Sequence, residues 1–243
     1  MISSFEYYII KAKQRNHEAL YNSIVKGMVR HMHIDTKDLL NSIMESFDRI
    51  SYVKSSDIPN IDLYMDQVTT FMDKNFRKTT RYPGDDKIMT KTMINNYAKN
   101  DLLPAPIRKK YSREHILVLI FIYYYKGILS ISDIQTLLGP ITEKFFHKDE
   151  AFDIKTIYEE IFQVGYDQVE ALKHHVMAEY DSAMGTFEDA PEDSREFLKL
   201  FSFICFLSFD VYMKKQLIEK LIDEIREGSF RKSDQKADNK KKE

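Results

Sequence analysis

Two asparagines and a run of basic side chains are the residues here whose types and spacing could do recognition chemistry. Asn95 and Asn96 lie in the stretch TKTMINNYAKN, residues 90–100, and Arg108, Lys109 and Lys110 follow it closely. An asparagine amide can pair in bidentate fashion with adenine in the major groove, and lysine or arginine neutralises phosphate. Met93, Ile94 and Tyr97 recur at helical spacing and are predicted to face a core, which leaves Asn95, Asn96 and Lys99 on another face. Thr90 or Thr92 can cap the start of that helix by accepting an orphan backbone N–H. Pro104 and Pro106 stop it, so Arg108, Lys109 and Lys110 stand where a wing would touch the backbone beside a groove. The expected DNA-contacting set follows. Lys91, Thr92, Asn95 and Asn96 would meet bases or adjacent phosphates. Lys99, Arg108, Lys109, Lys110 and Arg113 would hold phosphates, while Tyr111 packs the wing onto the core.

The charge distribution points the same way. From Lys74 to Arg113 there are eleven basic side chains against three acidic ones, a local charge of about +8 in a chain whose total is −2. A solvated basic loop would give the same count. Polarised charge combined with the helix-and-turn pattern favours a nucleic-acid footprint over that reading.

Other chemistries find little support. No Gly-rich phosphate loop, Gly-x-Ser-x-Gly elbow or His-Glu-x-x-His helix is present. His31 and His33 are two apart, which suits neither face of a helix, and the adjacent His174 and His175 diverge on one. No Cys/His set has zinc spacing. Pairs such as Glu159–Glu160 read as solvated helix faces. The expectation is a non-enzyme without metal or cofactor. Tyr123–Tyr125 and the phenylalanines of 197–209 read chiefly as core, although a helical C-terminal region this rich in aromatics is where a small-molecule effector would bind.

These residues need long helices to position them. The chain has 243 residues with only 7 glycines and 6 prolines, too few for a turn-rich sheet fold, so an all-α protein is expected. Helices are predicted over 3–31, 35–52, 62–76, 90–100, 112–126, 130–138, 153–183 with an interruption at Gly165, and 195–227. Breaks are expected at 55–60, 77–88, Gly139–Pro140 and 185–194. The tail from Ser229 is polar and lysine-rich, and is predicted to be disordered. Cys205 is the only cysteine, so no intrachain disulfide can form, and its apolar neighbours predict a buried, inert thiol. The start of the chain lacks the pattern of a signal peptide. Ile116–Tyr125 is too short for a membrane span, and Phe197–Met213 carries Lys199 and Asp210; both are expected to be buried helices. A cytoplasmic location without membrane association is the simplest expectation.

Residues 90–138 resemble the winged helix-turn-helix module of the MerR superfamily. Tyr97 stands at that pattern's second tyrosine. Asp101-Leu102-Leu103-Pro104 stands at its Gly-Leu-hydrophobic-Pro, and Lys109-Lys110-Tyr111 at its Arg-x-Tyr. Gly127-Ile128-Leu129-Ser130-Ile131 and Asp133-Ile134 stand at its closing turn and helix. Residues 58–165 are similar to a bacterial family known as domain of unknown function 1836. That likeness rests on Asp-Leu-Tyr-Met-Asp-Gln at 62–67, Thr-Lys-Thr-Met-Ile-Asn-Asn-Tyr at 90–97, Lys-Lys-Tyr-Ser-Arg-Glu-His at 109–115 and Leu-Ser-Ile-Ser-Asp-Ile at 129–134. The resemblance implies a MerR-like fold and transcription regulation.

The expected organisation is an N-terminal helical extension over 1–57, a MerR-like helix-turn-helix domain over 58–140, a C-terminal helical region over 141–228 and a disordered basic tail over 229–243. The long helices from 153 to 227 would pair two protomers, because two recognition helices must sit about one DNA turn apart. The expected function is a dimeric, sequence-specific regulator of double-stranded DNA, acting as a repressor. The alternatives are a non-catalytic protein-interaction module that keeps the fold without binding DNA, and a helical small-molecule sensor.

Overall fold

The computed structural model describes residues 36–47, 52–82, 84, 87–147 and 152–228. The helix expected over 3–31, the pair His31 and His33, and the tail from Ser229 lie outside the described residues. In chain order the elements are α1 (Thr36–Phe47), a 3-10 turn (Ser55–Asp57), β1 (Leu63–Tyr64), α2 (Met65–Phe76), a second 3-10 turn (Arg77–Thr79), α3 (Lys91–Lys99) and β2 (Lys110–Tyr111). Then come α4 (Arg113–Tyr125), α5 (Ile131–Phe145), α6 (Ile154–Asp167), α7 (Val169–Met184) and α8 (Glu192–Arg226). The protein is thus mostly helical, as expected.

The chain divides into two units, Met1–Arg49 and Ile50–Glu243. Within the first, α1 buries Leu40 and Met44, while Leu39 and Ile43 are exposed.

In the second unit the organising element is α4. Every side chain from His115 to Ile122 is buried. A helix that is apolar on all sides must be enclosed by neighbours rather than laid on a surface. α5, α6 and β2 pack against it. α2 reaches it through Phe76, whose ring lies 4.3 Å from that of Tyr123. α3 contributes Ile94 and Tyr97 to the same core. α6 closes the remaining side: the buried Tyr158 hydroxyl donates to the Val53 carbonyl at 2.6 Å, and Phe121 meets its ring edge-on at 5.6 Å. Val53 and Ile58 therefore belong to this core; of the two, Val53 was expected in the N-terminal extension.

Three local expectations are corrected. Leu63 and Tyr64 form a short strand rather than the first turn of α2. The break expected at Gly139–Pro140 does not occur, because α5 runs through it to Phe145. Proline removes one helical N–H and crowds the preceding turn, but Leu137 and Leu138 before it and Ile141 and Phe145 after it all pack against the core. Apolar contacts on both sides hold the helix together. The α6–α7 break falls at Gln168, three residues beyond Gly165. Asp153 caps the start of α6: its carboxylate accepts the Thr156 N–H at 2.8 Å.

α7 and α8 pack along each other as a helical hairpin, with Tyr180 edge-on to Phe203 at 5.4 Å. The far end of α8 packs on α5, burying Ile222 and pairing Arg226 with Asp133 at 2.8 Å. Between these anchors α8 is covered on one side only. Phe197–Met213, expected to be a buried helix, is a helix that exposes Phe197, Phe201, Ile204, Phe209, Val211 and Met213. Cys205, expected to be buried, is half-exposed. No helix among the described residues is long and apolar enough to cross a membrane.

Candidate nucleic-acid interface

Thr90 starts α3 as its cap, its hydroxyl accepting the Met93 N–H at 3.1 Å. Removing that bond by Thr90→Ala is expected to cost about 1 kcal/mol of stability, measurable by urea unfolding. Ile94 and Tyr97 anchor the helix in the core. Lys91, Thr92, Asn95, Asn96 and Lys99 then form one exposed face, because they fall at i, i+1, i+4, i+5 and i+8. The helix ends on Asp101, whose φ of 54° is the left-handed conformation that commonly closes a helix. Both the Leu102 and Leu103 N–H groups donate to the Tyr97 carbonyl, at 2.9 and 3.1 Å, and both leucines are buried. The chain leaving α3 is therefore fixed.

It leads into a minimal hairpin. The Lys110 N–H donates to the Ile107 carbonyl at 2.9 Å, and the two residues form an antiparallel bridge. Arg108 and Lys109, between them, have φ of 50° and 64°. Two consecutive left-handed residues define a type I′ turn, which asparagine and glycine normally occupy. Here both positions are exposed bases.

Strand pairing then places the hairpin. β2 runs antiparallel to β1, with Leu63 opposite Tyr111 and Tyr64 opposite Lys110. The Lys110 ammonium sits 5.3 Å from the centre of the Tyr64 ring. Tyr111 is buried in the core. α2 begins directly after β1, and Asp66 in its first turn forms an ion pair with Lys91 in the first turn of α3. The starts of α2 and α3 and the base of the hairpin are thereby tied together.

The expected residues differ in what they are free to do. Thr92, Asn95, Asn96, Lys99, Arg108 and Lys109 are exposed. Lys91 is exposed but paired with Asp66, and Lys110 is half-buried over Tyr64. Arg113 is turned inward: its guanidinium donates to the Ser55 carbonyl, and its Nε is buried. Its charge therefore anchors the 3-10 turn instead of facing the hairpin.

One structural residue carried no signal of its own in the sequence. His115 is 1 % exposed, and its Nδ1 accepts the Ser112 N–H at 3.0 Å, standing in for the glutamate or glutamine of a capping box. Its Nε2 has no hydrogen-bond partner. Burial pushes its pKa down to about 4, opposed by the Ala105 carbonyl, assisted by the neighbouring His147, and opposed again by the Pro104 carbonyl and Asp62. His115 sits between Tyr111 of the hairpin and Phe146 beyond α5, ring to ring at 5.5 and 4.8 Å.

All of these elements fall in one segment. Residues 53–161 match the family model described as Domain of unknown function (DUF1836). The match starts at Val53, the residue that Tyr158 holds, and ends within α6. The matched segment thus carries the whole candidate interface and the enclosed helix α4, while α7 and α8 lie beyond it. No curated protein and no solved structure matches the chain. Among the described residues, no group of three or more His, Cys, Asp or Glu side chains is placed to hold a metal ion.

Proposed function

We propose that this protein is a sequence-specific DNA-binding regulator, a repressor that acts as a dimer through a MerR-like winged helix-turn-helix. One observation carries the reading: the exposed Asn95–Asn96 face of α3 is fixed beside a hairpin whose turn residues are Arg108 and Lys109. In this arrangement α3 enters the major groove, Thr92, Asn95 and Asn96 read base edges, and Lys99, Arg108 and Lys109 hold phosphates. Lys91 and Lys110 supply weaker contacts, since each already has a partner. The left-handed Asp101 supports the winged-helix part of the proposal, because it stands where the MerR pattern has glycine.

The test is fluorescence anisotropy against DNA from upstream of the protein's own gene, with a scrambled control, across a salt series. Binding that outlasts the control as salt rises is the expected result. Equal affinity for both DNAs at every salt concentration removes the sequence-specific reading, and no binding at low salt removes DNA altogether.

The uncovered side of α8 supports dimerisation. Phe197, Phe201, Ile204 and Val211 fall on a seam of four-, three- and seven-residue steps, and each is at least half exposed. An exposed apolar stripe of this length is what an interface covers, and heptad spacing suits a partnering helix. The double variant Phe201→Ser with Ile204→Ser is expected to shift the protein from dimer to monomer at micromolar concentration in sedimentation equilibrium. An unchanged dimer would remove α8 from the interface.

A further inference from the structure

The joint between the DUF1836 segment and the α7–α8 hairpin contains a cavity of about 350 Å³. Its walls come from Tyr52 before the first 3-10 turn, from Phe121, Tyr124 and Tyr125 on α4, from Phe162 on α6 and from Val169 at the start of α7. Gly165 opens one side, where a β-carbon would meet nothing within 4 Å. We propose that this cavity is a binding site for an uncharged, planar aromatic small molecule.

The lining chemistry selects that class. No lining residue carries a charge, so an ionic ligand would lose its hydration without gaining a counter-ion. Five of the lining side chains are aromatic rings already in contact with one another. Tyr52 stacks on Phe162 at 6.0 Å and 27°, Phe121 on Tyr125 at 6.1 Å and 22°, and Tyr124 meets Phe162 at 5.3 Å. Such faces favour offset stacking or edge-on contact with a further ring. Polar handles are few and neutral. Among the described residues, the hydroxyls of Tyr124 and Tyr125 have no hydrogen-bond partner, and burial raises the pKa of both, so they stay protonated at neutral pH and can donate. A mostly apolar hollow with a few neutral polar groups is the usual composition of a small-molecule site. On the far side of Gly165 and Val169 a second cavity of about 380 Å³ carries Lys214 and His175, but each of these is already paired, with Asp210 and Glu179 respectively. That lobe offers no free charge to redefine the ligand.

The position gives the site a consequence. Its lining spans the last turns of α4, the end of α6 and the first residue of α7, with the α6–α7 break at Gln168 between them. A molecule wedged there bears on the angle between α6 and α7, and through α7 on the placement of α8. The inference concerns binding at the joint and holds whether or not α3 reads DNA.

The probe is N-phenyl-1-naphthylamine, an uncharged aromatic amine whose emission rises in apolar surroundings. Saturable binding of one probe per chain is expected. Val169→Trp, which fills the cavity, and Gly165→Leu, which closes its open side in a residue type that favours helix, are each expected to weaken binding at least about tenfold. Circular dichroism shows whether both variants keep their helices. Phe201→Ser, on the exposed side of α8, is expected to leave probe binding unchanged. Absence of saturable binding, or binding insensitive to both filling variants, overturns the proposal. Loss of binding in Phe201→Ser would place the probe on the α8 stripe and overturn it as well. Binding that weakens as the protein is concentrated into dimers would assign the cavity to a second copy of the chain, with the same consequence.

Discussion

Replacing Arg108–Lys109 with Asn–Gly is expected to stabilise the fold and weaken DNA binding in the same variant. Both residues hold φ values near 50–64° without being glycine, at the two central positions of the turn from Ile107 to Lys110. Left-handed conformations at non-glycine positions cost on the order of 1 kcal/mol or more each. Asn–Gly is the pair that this turn type prefers. The double substitution should therefore raise unfolding free energy by about 1–2 kcal/mol in urea titrations. The same change removes two exposed cations from the tip of the hairpin. Under the proposed function the affinity for DNA falls about a hundredfold, and the slope of log K against log salt shrinks by about two. Lys214→Ala with Lys215→Ala removes equal charge from α8 and should change neither slope nor affinity. A stabilised variant that still bound DNA with wild-type affinity and salt dependence would remove the hairpin from the interface. A variant with unchanged stability would show that the turn is not strained.

Acid should loosen the base of the hairpin through His115, and His115→Gln should abolish that sensitivity. In the folded protein the pKa is lowered to about 4, against an unfolded value near 6.5, because burial disfavours the imidazolium. Between those values the unfolded chain binds more protons than the folded one, so stability falls as pH drops from about 6.5 toward about 4. The full contribution at neutral pH is on the order of 3 kcal/mol by the conversion of pKa difference to free energy. Burial dominates: of the groups facing the ring, the Ala105 and Pro104 carbonyls ease protonation and only His147 makes it harder. His147, 5.9 Å away ring to ring, is itself bound to Glu114 at 2.5 Å, and Asp62 gives only a small opposing effect. Glutamine at this position retains the reciprocal cap with Ser112 that the imidazole now supplies, but does not titrate. Urea unfolding near pH 7 and near pH 4.5 reads the result. The wild type should lose about 2–3 kcal/mol more than His115→Gln across that interval, and equal losses would acquit His115.

Much of the candidate interface is legible in the residue pattern, because it depends on short-range rules. The spacing of Met93, Ile94 and Tyr97 settles which side of α3 is buried, and the opposite face with Asn95 and Asn96 follows by helical geometry. Thr90 caps as a threonine before an apolar-periodic run should. Pro104 and Pro106 signal the end of the helix and the start of a turn. What spacing does not supply is which cations are already occupied. Lys91 and Arg113 look like their neighbours in a charge count, yet one is paired with Asp66 and the other turned toward Ser55. Those partners lie 25 and 58 positions away in the chain, a separation that local pattern does not encode. His115 is hidden for a related reason. A histidine three residues after a serine is an uncommon way to complete a cap, and its burial depends on Tyr111 and Phe146 meeting over it.

The departures along the backbone share one cause. Gly139–Pro140 is a strong local breaker, but apolar residues on both sides of it reach the same core, and the summed burial outweighs one lost hydrogen bond. Conversely, the apolar run over 197–213 predicts burial only if something covers it, and α7 covers one side.

Residue order was enough to specify a helical protein with α4 as its enclosed centre, since a run of apolar residues from Ile116 to Ile122 has no polar face to offer water. It was also enough to specify the content of the exposed face of α3, which periodicity assigns residue by residue. That the hairpin and α3 share an edge is a property of the folded chain. The placement rests on Tyr64 pairing with Lys110 and on Asp66 meeting Lys91, contacts between residues distant in the chain that form only once the core has drawn their helices together.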